Sequence, residues 1–128
     1  MSKRLATPLV ALGLLALTAC GGGSSTTNNT VPADADVVVR AKDGVLWNKK
    51  AYEATATGGK VTIYAVNDSS ITHNMYVLGA DDAVIGTHID LPKKGSDGTV
   101  VYDLAPGEYH IVCKVPGHAS MNSTLTVS

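Results

Sequence analysis

Residues 102–128 read YDLAPGEYHIVCKVPGHASMNSTLTVS, and this stretch decides the fold and the function that we predict. Cys113, His118 and Met121 follow one another on a short segment that also contains a Pro and a Gly. Taken singly, a Cys usually packs as a small hydrophobic residue and a Met usually lies in a core. Together, a thiol, an imidazole and a thioether indicate a metal site, because soft and borderline metal ions prefer these groups.

Short apolar runs separated by turn residues precede this segment and follow it. From residue 36 onward they are rich in Val, Ile, Thr and Tyr, and no window of helical length shows a 3.6-residue period. This composition and spacing are typical of an antiparallel β-sandwich or barrel. The predicted strands lie within residues 37–39, 45–47, 52–57, 60–66, 75–78, 84–89, 99–104, 108–113 and 123–127.

The turn at residues 105–107 (Ala-Pro-Gly) directly concerns the metal site. Pro fixes φ and Gly accepts positive φ, so the three residues fit a tight turn. We predict that this turn joins 99–104 and 108–113 into a hairpin, whose second strand delivers Cys113 to one end of the sandwich. Loops at such ends commonly carry functional residues.

Residues 102–128 resemble the C-terminal segment of the cupredoxins, the blue copper proteins. The shared features are a Pro-Gly turn, an aromatic strand, a Cys, a short loop with Gly-His, a Met and a last strand. The family also has an earlier histidine that is usually followed by Asn, and His73-Asn74 matches it, directly after the turn at 67–70. The resemblance covers about residues 36–128 and implies an all-β, antiparallel Greek-key sandwich or barrel of about seven or eight strands.

The resemblance also implies one type 1 copper, cycling between Cu(I) and Cu(II). By matching motif positions, His73, Cys113 and His118 are the equatorial ligands and Met121 is the axial ligand. The residue types suit this chemistry, because thiolate and thioether favour Cu(I) whereas imidazole suits both oxidation states. Metal binding would also keep the Cys113 thiolate from oxidising outside the cytoplasm.

Two further residues are implied around these ligands. In the family, the Asn after the first histidine links the two ligand segments, and Asn74 matches it. Backbone N–H groups bond the cysteine sulfur in the family, and the candidates for Cys113 are those of Asn74 and Val115, since Pro116 has no N–H. Such bonds tune the reduction potential.

The ligand spacing, Cys-x4-His-x2-Met, leaves the subfamily open. Azurin-like members have four residues before the histidine but three after it, whereas amicyanin-like members have two and two. A two-copper centre, as in cytochrome oxidase subunit II, needs a second Cys in the loop. Residues 114–117 are Lys, Val, Pro and Gly, so we expect a single copper.

The first residues read MSKRLATPLVALGLLALTAC and have the anatomy of a secretory signal peptide. A basic start is followed by an apolar stretch at 8–17, which is short for a permanent membrane helix, the alternative interpretation. The final LTAC resembles the bacterial lipobox, whose Cys is acylated after cleavage. A secreted protein with a free Cys20 is the other alternative. We predict a signal peptide over 1–19, a lipidated flexible tether over 20–35 and a cupredoxin domain over 36–128.

Charge excludes one broad class of partner. Without Lys3 and Arg4 the chain would carry 8 basic and 11 acidic residues, a net charge of about −3, whereas nucleic-acid binding needs a basic surface. The resemblance, together with the lipobox pattern, implies a lipid-anchored, monomeric electron carrier on the extracytoplasmic face of a bacterial membrane, in the periplasm or at the cell surface. Its partners would be redox proteins such as a cytochrome or a reductase.

Two other functional classes also bind copper. A copper storage or delivery protein is the alternative, although such proteins often use open sites rich in Met and His. A copper enzyme would need several such domains and further copper-binding histidines, so we expect no enzymatic activity.

Overall fold

Two β-sheets face each other in residues 27–128, the part of the chain that the computed structural model describes. The strand order is β2-β1-β4-β7 in one sheet and β3-β9-β8-β5-β6 in the other. Within these residues, no helix has the length and apolar character needed to cross a membrane. The strands are β1 (Val37–Lys42), β2 (Leu46–Trp47), β3 (Ala51–Ala54), β4 (Lys60–Asn67), β5 (His73–Leu78), β6 (Val84–Leu91), β7 (Asp97–Asp103), β8 (Gly107–Val112) and β9 (Asn122–Val127).

The core lies between the sheets and is built mainly from aliphatic residues, of which Val is the most frequent. In β1, alternate side chains are buried and half-buried, which is the period-two pattern of a strand with one face on a core. The sequence has no Phe, and Trp47, Tyr52 and Tyr102 supply the large aromatic side chains of the core. Each fully buried Val, Leu or Ile contributes roughly 1.5–3 kcal/mol to stability.

The β-sandwich predicted from the sequence is confirmed, but in residues 27–128 it has nine strands, and they are not all antiparallel. β1 pairs with β4 in parallel, and β3 pairs with β9 in parallel. A parallel pair needs a crossover connection, and here β2 and β3 lie between β1 and β4 in the chain. Turn residues mark where a strand ends, but they do not specify which distant strand it pairs with.

The predicted hairpin around residues 105–107 is wrong. β7 pairs with β4, whereas β8 pairs with β5 and β9, so the connection crosses from one sheet to the other. Leu104 is buried between the sheets, and the Tyr109 hydroxyl donates to the Ala105 carbonyl at 2.7 Å across the corner. Pro and Gly allow the chain to change direction, but they do not determine that β7 and β8 belong to different sheets.

The N-terminal segment, residues 27–35, lies against the sandwich. Thr27 donates from its N–H and its hydroxyl to Asp68, both at 2.8 Å, and Asn29 donates to the Gly95 carbonyl and to Asp97. Asp97 also accepts from the Tyr64 hydroxyl at 2.9 Å, which ties the segment to β4. The described part of the predicted tether is thus in contact with the domain. The predicted signal peptide, Cys20 and the rest of the tether lie outside the described residues.

Candidate metal centre

One end of the five-stranded sheet brings two distant parts of the sequence together. His73 is the first residue of β5, and Cys113 directly follows β8. β5 and β8 are antiparallel neighbours, with Tyr76 opposite Val112. The start of one strand therefore lies beside the end of the other, which places the imidazole of His73 next to the thiol of Cys113.

The loop between β8 and β9 is closed by its own backbone. The Cys113 N–H donates to the Met121 carbonyl at 3.1 Å, across the base of the loop. Inside it, the His118 N–H donates to the Val115 carbonyl at 3.0 Å and the Met121 N–H donates to the His118 carbonyl at 2.9 Å. Gly117, at φ +86°, makes the left-handed turn that precedes His118. The loop is therefore held in one shape by bonds that need no metal.

His73, Cys113 and His118 form a cluster in which one ligand atom of each residue lies within 4.8 Å of the others. The Cys113 sulfur is 3.5 Å from Nδ1 of His118 and 3.9 Å from Nδ1 of His73. Nitrogen and sulfur ligands at about 2.0 and 2.3 Å from one ion, 120° apart, lie about 3.8 Å from each other. The observed separations therefore suit a single ion, and a His2Cys set with a nearby Met fits a type 1 copper site.

The two imidazoles differ in exposure. His73 is 1% exposed, whereas His118, which lies between the small residues Gly117 and Ala119, is half-buried. Burial, and to a smaller extent the nearby His118, lower the pKa of His73 to about 4, with Asp43 partly opposing them. His73 is therefore neutral at pH 7, and the neutral imidazole is the form that binds metals.

Met121 lies at the end of the same loop, with its side chain 1% exposed and packed in the core cluster. Its carbonyl bonds the Cys113 N–H, so the two residues are adjacent across the loop base. The axial role of its thioether stays a prediction.

We expect the Met121→Leu variant to keep the visible absorption and to show a higher reduction potential. Although a thioether as a ligand type suits Cu(I), as a weak additional donor it would mainly offset the higher charge of Cu(II), so an apolar replacement would favour the reduced state. Leu conserves volume, and such swaps usually cost less than about 1.5 kcal/mol. Voltammetry of this variant beside Met75→Leu, a matched change at a fully buried core Met, checks the assignment. Equal potentials in the two variants would assign Met121 to the core alone.

Asn74 links the segments that carry His73 and Cys113. Its side-chain oxygen accepts a hydrogen bond from the Lys114 N–H at 2.7 Å, which ties the residue after His73 to the residue after Cys113. The hydrogen-bond partners found for the Cys113 sulfur within residues 27–128 are the two histidine rings. The N–H groups of Asn74 and Val115 as donors to the sulfur therefore stay predictions.

Sequence reasoning missed Ser69, whose hydroxyl lies 2.7 Å from Nε2 of His73. The run Asn67-Asp68-Ser69-Ser70 has the composition of a solvated turn, yet its first three residues are each 0% exposed. The position of this polar run directly before the predicted ligand His73 could have indicated the role of Ser69, since polar side chains beside a metal site often orient its ligands.

His88 and His110 do not belong to the cluster. Nε2 of His88 lies 3.2 Å from Asp90, and its ring stacks on Tyr76 with centroids 4.5 Å apart. Nδ1 of His110 lies 3.1 Å from the side-chain oxygen of Asn122. Each of these two histidines therefore has a surface partner of its own.

No protein-family model matches the sequence, and neither does any curated protein. Several solved structures do resemble it. Auracyanin A, a blue copper protein from the green thermophilic photosynthetic bacterium Chloroflexus aurantiacus, has 24% identity and a TM-score of 0.59, over 71% of this chain and 96% of that one. Auracyanin B has 24% identity and a TM-score of 0.59, over 83% of this chain and 96% of that one.

An azurin from the obligate methylotroph Methylomonas sp. strain J is also similar. It has 19% identity and a TM-score of 0.61, over 75% of this chain and 99% of that one. Each of these proteins is thus matched over nearly its whole length by the strands described above. At such identities the likeness shows the fold, and the chain therefore has the cupredoxin fold.

Proposed function

We propose that the protein binds one type 1 copper ion and carries single electrons between redox proteins. The observation that carries the proposal is the cluster of His73, Cys113 and His118, whose ligand atoms lie within 4.8 Å of one another. Auracyanin A, which has the same fold, is a blue copper protein. When bound, copper supplies a one-electron redox couple to the site.

The protein's own contribution is a fixed and largely dry set of ligands. His73 begins a strand, Cys113 follows another, and His118 sits on a loop closed by backbone hydrogen bonds. Cu(I) and Cu(II) prefer different coordination geometries. A fixed set of ligands would resist the change between them, so little reorganisation of the site would accompany electron transfer. We expect no bond-making or bond-breaking chemistry.

His118 is the expected exit for the electron. Its ring is half-buried, whereas that of His73 is closed off from solvent. Pro116, Gly117 and Ala119 around it are exposed and small or apolar. A surface of this kind suits brief docking to a redox protein such as a cytochrome or a reductase, since transient complexes use small interfaces.

Titration of residues 20–128 with Cu(II) tests the proposal. We expect one copper per chain, an intense visible band from charge transfer between the Cys113 thiolate and Cu(II), and loss of that band on reduction. Trp47, the only Trp, lies 6.4 Å from the His73 ring between centroids, so its fluorescence should fall as copper binds. A colourless protein, or two coppers per chain by elemental analysis, would contradict the proposal.

We expect the Ala119→Glu variant to keep the visible spectrum and to exchange electrons more slowly. A larger charged side chain beside His118 holds a partner away from the ring. The measurement is electron self-exchange at high salt, where simple charge repulsion is screened. The matched control is Ala80→Glu, the same change at an exposed residue beyond the other end of β5. Equal rates in the two variants would place the exit elsewhere.

We further propose that lipid on Cys20 anchors the protein to the extracytoplasmic face of a bacterial membrane. The support is the LTAC lipobox pattern after an apolar stretch. We expect Cys20→Ala to release the protein from the membrane fraction with an unchanged copper spectrum, because the metal cluster lies in residues 73–121. A variant that stays in the membrane would instead support an uncleaved helix.

A further inference from the structure

The nitrogen of His73 that points away from the metal cluster has a partner of its own. Nδ1 faces the Cys113 sulfur, while Nε2 lies 2.7 Å from the Ser69 hydroxyl. Ser69 is 0% exposed and His73 is 1% exposed, so no bulk water competes for this contact. A buried contact of this length requires a hydrogen between the two atoms. Which atom carries it decides which ring nitrogen of His73 keeps a free lone pair.

The surroundings of Ser69 answer that question. Its oxygen lies 2.9 Å from Oδ1 of Asn67 and 3.2 Å from the Ile71 carbonyl, and both of these atoms can only accept. The Asn67 amide cannot be reversed, since its nitrogen donates to the carbonyls of Ile71 and Leu91 at 2.7 and 2.9 Å. If the single Ser69 hydrogen pointed at His73, the Ser69 and Asn67 oxygens would face each other with no hydrogen between them.

The alternative arrangement satisfies every atom. Ser69 donates to Asn67, and its lone pair accepts from Nε2–H of His73. Nδ1 of His73 then carries no hydrogen and presents its lone pair to the cluster. A hydroxyl held in this way acts on the metal site without touching the metal.

The hydroxyl is itself fixed by the fold. The Ser69 N–H donates to Oδ1 of Asn67 at 2.8 Å, so residues 67–69 form a closed side-chain turn. The neighbouring Asp68 is bound by Arg40 and Lys42 of β1 at 3.1 and 2.8 Å. The position of the Ser69 oxygen therefore follows from contacts that do not involve His73.

We propose that Ser69 is a positioning residue that holds His73 with Nε2 protonated and Nδ1 free for the metal. The consequence for copper rests on the proposed function, but the consequence for the His73 ring does not. Removal of such a supporting contact typically weakens metal binding 10- to 100-fold.

The first measurement uses the metal-free wild-type protein at pH 7. Nitrogen-15 NMR of the histidine rings distinguishes the two neutral tautomers, and we expect His73 to be the Nε2–H form. In Ser69→Ala the ring loses its acceptor, so we expect a mixture of tautomers. Ser69→Thr keeps a hydroxyl and should restore the wild-type form. An Nδ1–H tautomer in the wild type would overturn the proposal without any variant.

The second measurement is the affinity for Cu(II), followed by Trp47 fluorescence and the visible band. We expect a 10- to 100-fold loss in Ser69→Ala, recovery in Ser69→Thr and no change in Ser70→Ala, a matched control at the exposed neighbour. Equal affinities for wild type and Ser69→Ala would overturn the proposal. A wild-type protein that binds no copper would instead refute the proposed function, and the tautomer measurement would still test Ser69.

Discussion

The Cys113→Ser variant is expected to lose the visible absorption band completely and to bind Cu(II) far more weakly. The band needs a thiolate, and a Ser hydroxyl stays protonated at neutral pH. Cys113 is 6% exposed and packs in the core cluster. Ser is close to Cys in size, and its hydroxyl would have the ring nitrogens of His73 and His118 as hydrogen-bond partners. We therefore expect the fold to persist.

Absorption spectra after Cu(II) addition check this result, with circular dichroism as the test of folding. Cys20→Ser is the matched control, because it removes the other cysteine of the sequence, which the proposed copper site does not use. It should keep the band. A folded Cys113→Ser protein with an intact band would show that the sulfur is not a ligand.

The Asp68→Asn variant should lose about 2–4 kcal/mol of unfolding free energy at pH 7. Asp68 is 0% exposed and forms ion pairs with Arg40 at 3.1 Å and with Lys42 at 2.8 Å. It also accepts two hydrogen bonds from Thr27. An amide there removes the charge that compensates both cations and places an NH2 group or a neutral oxygen among donors.

The pH dependence of stability follows from the same contacts. Burial alone would raise the pKa of Asp68, but hydrogen bonds from Lys42, Thr27 and Arg40 outweigh it and lower that pKa to about 2. The folded-state pKa lies below the unfolded value of 3.8, so this stabilisation is complete above about pH 4 and is lost as pH falls toward 2. It amounts to about 2 kcal/mol.

Denaturant unfolding of the metal-free protein between pH 7 and pH 2 measures both effects. Because His73 contributes equally to wild type and variant, the difference between them isolates Asp68. Asp103→Asn is the control: its partner Lys60 is 56% exposed and Asp103 is 83% exposed, so we expect a change within about 1 kcal/mol. Equal losses of unfolding free energy in the two variants would mean that the contacts of Asp68 stabilise the fold no more than an exposed ion pair does.

The sequence was informative where chemistry depends on residue type and local spacing. His73, Cys113 and His118 were predicted as ligands by matching their motifs to those of the cupredoxins, and the structure brings these three residues together. The strands were visible because burial on one face imposes alternation, as in β1. These signals are local, so they can be read from a single sequence without knowing which strand pairs with which.

Other features depend on contacts between distant residues. The parallel pairing of β1 with β4 and the change of sheet after β7 follow from the packing of the whole core. Ser69 appeared to be a solvated turn residue, because the polar composition of residues 67–70 does not reveal that the fold buries it. Thr27 was assigned to the tether, because no residue near it in the sequence indicates its contact with Asp68, which lies 41 positions away.

The attachment of Thr27 to Asp68 has a geometric consequence for any protein held at Cys20. Asp68 directly follows β4, at the end of the sandwich where β5 begins with His73. Seven peptide steps separate Cys20 from Thr27, which is at most about 25 Å of extended chain. A lipid on Cys20 would therefore attach the protein through a short segment at the end of the sandwich that carries the proposed copper site. That end would stay within a thin layer above the bilayer. The protein would then meet membrane-bound partners by diffusion parallel to the membrane rather than in three dimensions.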